Sequence, residues 1–185
     1  MNKPLQRLAA AAALALAFTS ITAQAAPVVV DVSGAQSINL QGEAGNTVWL
    51  IDIGANAVLN SLAWTLDLDA FAPSSLAEMQ VSFGNSSGLD VVTFAPGGAD
   101  FISGTGSYTG SLDLTGLGLG AGADGKLRIE FSEGFKDFAL NVTEGQWVSG
   151  NLSFDVSTVP EPATEALVLL GLGLIGAHGH RTRRG

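Results

Sequence analysis

The sequence predicts an all-β fold, an antiparallel β-sandwich or jelly-roll-like single domain. Three observations favour this class. Hydrophobic and polar residues alternate with a period of two through most of the chain, as they do in strands with one buried face. Glycine-rich turns interrupt the alternation at short intervals. No stretch between the two ends keeps the 3.6-residue period of a helix.

The clearest predicted strand is Ser61–Asp69. Leu62 and Trp64 begin one apolar face of this segment, and Asp67 and Asp69 lie on the opposite, solvent-facing side. The other predicted strands are Val28–Val32, Thr47–Ile53, Met79–Phe83, Leu89–Phe94, Ser111–Leu114, Lys126–Phe131, Phe135–Val142 and Gln146–Val156.

The segments between these strands are predicted to be turns and loops. Glycine clusters such as Gly84–Gly88 and Gly116–Gly122 mark them. A single helical turn is predicted at Ser74–Glu78, and Tyr108 is expected in a loop over Gly104–Gly110.

The N-terminus has the features of a secretory signal peptide. A basic start is followed by an apolar run over residues 8–18, and Ala23 and Ala25 form an A-x-A cleavage site. We expect signal peptidase to remove residues 1–25, so that the mature chain begins at Ala26.

The C-terminus has three parts that together predict a removable membrane anchor. They are Val159-Pro160-Glu161-Pro162, the apolar run Ala166–Ala177, and the basic end with Arg181, Arg183 and Arg184. The prolines favour an extended, exposed hinge. The apolar run is shorter than the roughly 20 residues of a stable membrane-spanning helix. Arginines beyond an apolar run mark the cytoplasmic side, which places the preceding body outside the inner membrane.

This tail resembles the PEP-CTERM sorting tail of Gram-negative bacteria over residues 159–184. It departs from that pattern at Glu165, where an aromatic residue is common, and at Thr182, which interrupts the basic end. The resemblance implies that a membrane transpeptidase of the exosortase type recognises and cleaves the tail. It also implies transient anchoring in the inner membrane, release to the cell surface or the extracellular space, and extracellular polysaccharide as a possible partner.

Residues 26–158 form the predicted body, which is strongly acidic. It carries fifteen acidic and three basic residues, a net charge of 3 − 15 = −12. Such a charge disfavours binding to nucleic acid and to anionic membranes. The chain has no cysteine, so disulfides do not stabilise it. The strands at Lys126–Phe131 and Gln146–Val156 are loosely similar to the last strands of some proteins with this tail, which implies no activity.

The body offers few residues for catalysis. Both histidines, His178 and His180, lie in the tail, which excludes Ser-His-Asp and Cys-His catalysis and the usual zinc sites in the body. We therefore expect no enzyme activity, no catalytic residue, no cofactor and no metal site. The alternative is a carboxylate-dependent hydrolase, with the pair Asp67 and Asp69 or the pair Glu130 and Glu133.

A secreted module that binds carbohydrate or calcium is the main alternative to a structural or adhesive role, ahead of the hydrolase. A calcium site would use loop residues Asp100 and Asp124. A carbohydrate site would use exposed aromatic side chains. The candidates are Trp49, Trp64, Trp147 and Tyr108, of which the tryptophans are expected to pack in the core. Ice binding would need a regular threonine array, and no Thr-x-Thr repeat is present. The sequence thus favours a structural or adhesive component of the extracellular matrix.

Overall fold

The computed structural model describes residues 26–157, which form an all-β body. This part of the chain contains nine strands and no helix. The strands are β1 Ala26–Asp31, β2 Gln36–Ser37, β3 Thr47–Asp52, β4 Val58–Ala70, β5 Met79–Asn85, β6 Val91–Phe94, β7 Gly104–Asp113, β8 Lys126–Glu133 and β9 Gly145–Ser157. The predicted all-β class is confirmed.

The strands form two antiparallel sheets with nested pairing. Sheet A has the order β1-β9-β4-β7, with the short β2 also on β9, and sheet B has the order β3-β8-β5-β6. Apart from β2, the first strand pairs with the last and the second with the penultimate. The pairs β4–β7 and β5–β6 continue this nesting. This is the strand order of a jelly roll.

The core lies between the inner faces of the two sheets. Aromatic rings from opposite sheets meet edge to face, with centroids 5.2 Å apart for Phe83 and Phe154 and 4.9 Å apart for Phe131 and Trp147. All four side chains are fully buried. Such pairs prefer this geometry because ring edges are positive and ring faces negative. The sheets therefore pack face to face as a sandwich.

Strand β4 follows the predicted alternation. Leu62, Leu66 and Leu68 are buried, and Asp67 is exposed on the outer face. Trp64 is half-buried, and its ring centroid lies 4.7 Å from that of Phe94 in sheet B. The sequence predicts this alternation because one face of the strand covers the core and the other meets solvent.

The predicted strand at Phe135–Val142 is wrong. This segment belongs to an irregular loop between β8 and β9, and Phe135 and Leu140 are 60% and 66% exposed. The backbone N–H of Phe138 donates to the carboxylate of Glu144, not to a neighbouring strand. The apolar residues of this loop therefore alternate without covering the core.

Two local predictions also need correction. Tyr108 lies within β7, not in a loop, because that strand begins at Gly104. The glycines that suggested a loop are required by packing. A Cβ at Gly106 would lie 2.5 Å from the Tyr108 hydroxyl, and one at Gly110 would lie 2.3 Å from the Trp64 ring. Ser74–Glu78 does not form the predicted helical turn. It forms hydrogen-bonded turns, with no helix.

The predicted signal peptide and the C-terminal tail, with the short hydrophobic helix expected in it, lie outside the described residues. Ala26, the expected first residue of the mature chain, opens β1 opposite Val156 of β9. Within residues 26–157, no helix has the length and hydrophobicity needed to cross a bilayer.

Candidate functional site

A group of ionisable side chains, two buried and two half-buried, lies where β8 ends and β9 begins. We call Glu78, Glu133, Lys136 and Glu144 the carboxylate cluster. Glu133 closes β8 opposite Met79 of β5, and its side chain continues the core-facing row of that strand. Glu133 and Glu144 are 1% and 0% exposed. Buried carboxylates are uncommon in proteins, so this cluster is the first candidate for a functional site.

Glu133 is the most perturbed carboxyl of the cluster. Burial raises its pKa from the usual 4.5 to about 8, and the neighbouring carboxylates of Glu144 and Glu78 add to the shift. Lys136 opposes it in part. One Glu133 carboxyl oxygen, Oε1, has no hydrogen-bond partner among the described residues. Glu133 is therefore mostly protonated at neutral pH.

Glu144 organises the loop between β8 and β9. Its carboxylate accepts hydrogen bonds from the backbone N–H of Asp137 at 3.1 Å and of Phe138 at 2.9 Å, and it pairs with the ammonium group of Lys136. Lys136 Nζ also donates to the carbonyl oxygens of Ile38 and Val142. Through these contacts the Lys136–Glu144 pair holds the loop between β8 and β9 in place.

The cluster lacks the access that a catalytic site needs. Glycosidase carboxylates flank the scissile bond of a bound substrate. Glu133 and Glu144 are almost completely enclosed. Among residues 26–157 there is also no group of three or more His, Cys, Asp or Glu side chains placed to hold a metal ion. The contacts of Glu144 and Lys136 make this pair a structural element of the loop between β8 and β9.

The predicted pair of Glu130 and Glu133 does not form, because the two residues lie on opposite faces of β8. Glu130 is on the outer face of sheet B. It accepts hydrogen bonds from the backbone N–H of Gly42 at 2.8 Å and from Asn46 Nδ2 at 2.7 Å, and it pairs with Arg128 at 2.7 Å. It thus fixes the loop between β2 and β3.

Asp67 and Asp69 lie on the outer face of sheet A, as predicted. Asp67 bridges the neighbouring strands, since Ser107 Oγ and Ser149 Oγ each donate to its carboxylate at 2.6 Å. These bonds stabilise the anion and lower the Asp67 pKa. It therefore joins β7, β4 and β9 through side-chain hydrogen bonds.

The outer face of sheet A is an open polar surface, here called the polar face. It is formed by alternate residues of three neighbouring strands. They are Ala63, Thr65 and Asp67 of β4, Thr105, Ser107, Thr109 and Ser111 of β7, and Ser149, Asn151 and Ser153 of β9. Sequence reasoning missed this surface because its hydroxyls come from distant segments. The alternation Thr105, Ser107, Thr109, Ser111 was the available signal.

The two calcium candidates are not brought together. The backbone of Asp100 lies near the start of β5, where its carbonyl accepts from the N–H of Ala77. Asp124 precedes β8, whose first residues pair with the end of β5. Asp100 accepts a 2.8 Å hydrogen bond from Tyr108 Oη, and Asp124 a 3.2 Å bond from the N–H of Lys126. A shared loop site is therefore excluded.

The candidate aromatic residues pack instead of forming an exposed strip. Trp147 is completely buried, and Trp49, Trp64 and Tyr108 are partly buried against the core. Burial and the neighbouring Asp100 raise the Tyr108 pKa to about 12. The packing predicted for the tryptophans is confirmed.

The remaining candidate residues belong to the sorting tail and to the signal-peptide cleavage site. Val159, Pro160, Glu161, Pro162 and the three arginines lie outside the described residues, as do Ala23 and Ala25. A family model described as the PEP-CTERM protein-sorting motif matches residues 158–184. The chain carries a PEP-CTERM sorting motif. This motif implies processing by an exosortase and delivery to the cell surface or the extracellular space.

The body was also compared with curated proteins and solved structures. No curated protein matches the chain significantly. One solved structure, the crystal structure of dimeric latent PorU from Porphyromonas gingivalis, shows a slight likeness with 11% identity and a TM-score of 0.36. The match covers 75% of this chain and 14% of that chain. At this level the likeness supports no inference about activity.

Proposed function

We propose that this protein is an exported structural or adhesive component of the extracellular matrix. Signal peptidase releases it from residues 1–25, and the PEP-CTERM motif anchors it in the inner membrane until an exosortase-type transpeptidase cleaves the tail. The match of residues 158–184 to the sorting motif is the observation that carries this proposal.

The chemistry of the body supports a role without catalysis. Residues 26–157 contain neither histidine nor cysteine. Glu133, the carboxyl with the largest upward pKa shift, is enclosed in the core. The carboxylates of Asp67 and Glu130 are held by hydrogen bonds that join segments of the fold. The side chains that resemble catalytic groups therefore have structural tasks.

The polar face supports adhesion to a hydrated polysaccharide. Its hydroxyl, amide and carboxylate groups can donate or accept hydrogen bonds. Backbone ladders hold its strands in register, and the two serine bonds to Asp67 tie the three strands together on this face. A sugar polymer presents hydroxyls at regular intervals and needs many such contacts, each of modest strength.

The sorting step is tested by replacing Pro160, Glu161 and Pro162 with alanine in the exporting host. We expect the variant to keep its tail, which mass spectrometry detects as a heavier mature chain, and to remain with the membrane fraction. The Glu165→Ala variant is the matched control, because it also removes a tail carboxylate but leaves the motif intact.

Two results contradict the sorting proposal. One is an alanine variant with the mass and location of the unaltered protein. The other is an unaltered protein that keeps its full tail in a host whose exosortase is active.

Adhesion is tested with polysaccharide recovered from the host. Asp67→Ala is expected to reduce the amount of protein retained, since it removes the group that orients Ser107 and Ser149. Asp52→Ala is the control, because Asp52 is an exposed aspartate on sheet B. Equal loss of binding in the two variants would refute a role for the polar face.

A further inference from the structure

Strand β7 is an open edge of sheet A. It is 10 residues long and pairs with β4 alone. Apart from this ladder with β4, no backbone N–H or C=O group of Gly104–Asp113 makes a backbone hydrogen bond within residues 26–157. Backbone groups on the free side of an antiparallel strand can form a second ladder.

β7 lacks the features that block edge pairing elsewhere in this fold. β1 carries Pro27, β6 is only 4 residues long, and the end of β3 carries the Asp52–Lys126 ion pair. In β7 there is no proline and no lysine. Its register with β4 runs without a shift from Ser61–Asp113 to Ala70–Gly104. A long, regular edge without such features favours pairing with another strand.

The side chains of β7 also permit a close approach. Thr105, Ser107, Thr109 and Ser111 face outward and are small and uncharged, and Asp113 at the strand end carries the only charge. Tyr108 faces the core side, where its hydroxyl is tied to Asp100. An approaching strand therefore meets no bulky or charged group along most of the edge.

We propose that β7 pairs antiparallel with β7 of a second copy of this chain, giving a two-fold dimer with a continuous sheet. An extended strand can satisfy such a row of alternating backbone donors and acceptors one for one. Antiparallel pairing keeps the two Asp113 carboxylates at opposite ends of the ladder. This matters because each body carries a net charge of −12, so two copies repel each other and a pairing edge must keep its own charges apart. The proposal goes beyond the sorting function and does not depend on it.

Cysteine cross-linking tests the geometry directly, because the chain has no cysteine of its own. The full-length exported chain is produced with Thr109→Cys, near the centre of β7, or with Thr105→Cys, on the same face near its start. Across a two-fold antiparallel pair, copies of residue 109 lie side by side or diagonally. Copies of residue 105 lie six to eight residues apart along the strand, roughly 20–27 Å.

We expect a short bifunctional thiol reagent, which bridges both the opposite and the diagonal pairing, to produce a covalent dimer of the Thr109→Cys variant and to leave the Thr105→Cys variant monomeric. An Ala63→Cys variant, on the same face but on β4, is expected to stay monomeric too. Adding Thr109→Lys to the unaltered chain should abolish its dimer in light scattering. Equal cross-linking at positions 105 and 109 would refute the antiparallel pair, as would failure to cross-link at 109. Either result would leave the sorting proposal intact, because tail cleavage is measured separately.

Discussion

The two lysine ion pairs of the body differ in how far each is shielded from water. In the Lys126–Asp52 pair, the side chains are 39% and 71% exposed, whereas in the Lys136–Glu144 pair they are 13% and 0% exposed. An exposed pair contributes about 0–1 kcal/mol to stability. Removing one partner of a buried pair leaves an uncompensated charge and costs about 3–5 kcal/mol.

Lys136→Met should therefore lower the free energy of unfolding by about 3 kcal/mol or more. The variant leaves the Glu144 carboxylate buried without its cation. Chemical denaturation of the purified protein measures the loss, and Lys126→Met serves as the control, with an expected change of less than about 1 kcal/mol. Adding Glu144→Gln to Lys136→Met should recover part of the stability. Equal effects of the two lysine substitutions would show that the Lys136 pair is not shielded in solution.

Glu133 should make the protein less stable as the pH rises. Its folded-state pKa of about 8 lies above the usual 4.5, so between these values the folded chain binds a proton that the unfolded chain has released. The stability contributed by the protonated form is complete below pH 4.5 and is lost as pH rises towards 8. The slope from this one group is at most about 1.4 kcal/mol per pH unit.

The Glu133→Gln variant should flatten this dependence, because a neutral amide replaces the titrating carboxyl beside Glu78, Glu144 and Lys136. Denaturation series between pH 5 and 8 would compare it with the exposed control Glu43→Gln. If the parent protein and the Glu133→Gln variant lose stability in parallel over this range, Glu133 is not the responsible group.

At the scale of elements, strand β9 contains an unusual glycine. Gly150 has a φ of 116° and lies opposite Leu66 of β4. A Cβ at this position would lie 2.1 Å from the carbonyl oxygen of Thr65. Both the backbone conformation and the close approach of β4 therefore require glycine.

Gly150→Ala should destabilise the protein by about 1–3 kcal/mol, since the strain of a positive φ adds to the clash between strands. Gly122→Ala is the matched control. Its Cβ would meet only an Asp124 oxygen at 3.6 Å, which is ordinary contact. Thermal unfolding of the two variants measures the difference. A Gly150→Ala variant as stable as the control would mean that β9 adjusts its register without cost.

The same elements show what the sequence can and cannot predict. Strands such as β4 and β8 were predicted because each covers the core with one face. Residues 135–142 have a similar pattern, but they form a loop in which the N–H groups of Asp137 and Phe138 donate to the carboxylate of Glu144. β7 was predicted only at its end, since its glycines serve packing against Trp64 and Tyr108 rather than a turn. The sorting tail was predicted because its signal is local, whereas the carboxylate cluster depends on contacts between distant segments.

On the scale of the whole molecule, the body combines a complete hydrophobic core with a large negative charge. Fifteen acidic side chains against three basic ones give −12 for residues 26–158. The described salt bridges pair all three basic residues with carboxylates. Most acidic residues therefore have no cation nearby, and their mutual repulsion opposes the compact state.

Monovalent salt should consequently stabilise the protein, because the Debye length shortens from about 30 Å at 0.01 M to about 8 Å at 0.15 M ionic strength. Calorimetry of the mature protein in increasing NaCl should show a melting temperature that rises and then levels off.

CaCl2 at matched ionic strength distinguishes screening from a specific site. Since Asp100 and Asp124 lie near opposite ends of β5 and hold separate hydrogen bonds, we expect calcium to have no effect beyond that of NaCl and MgCl2. A melting temperature independent of NaCl would contradict the repulsion argument. If calcium alone gave additional stabilisation, the protein would have a specific calcium site. That result would support the calcium-binding alternative, which the separation of Asp100 and Asp124 disfavours.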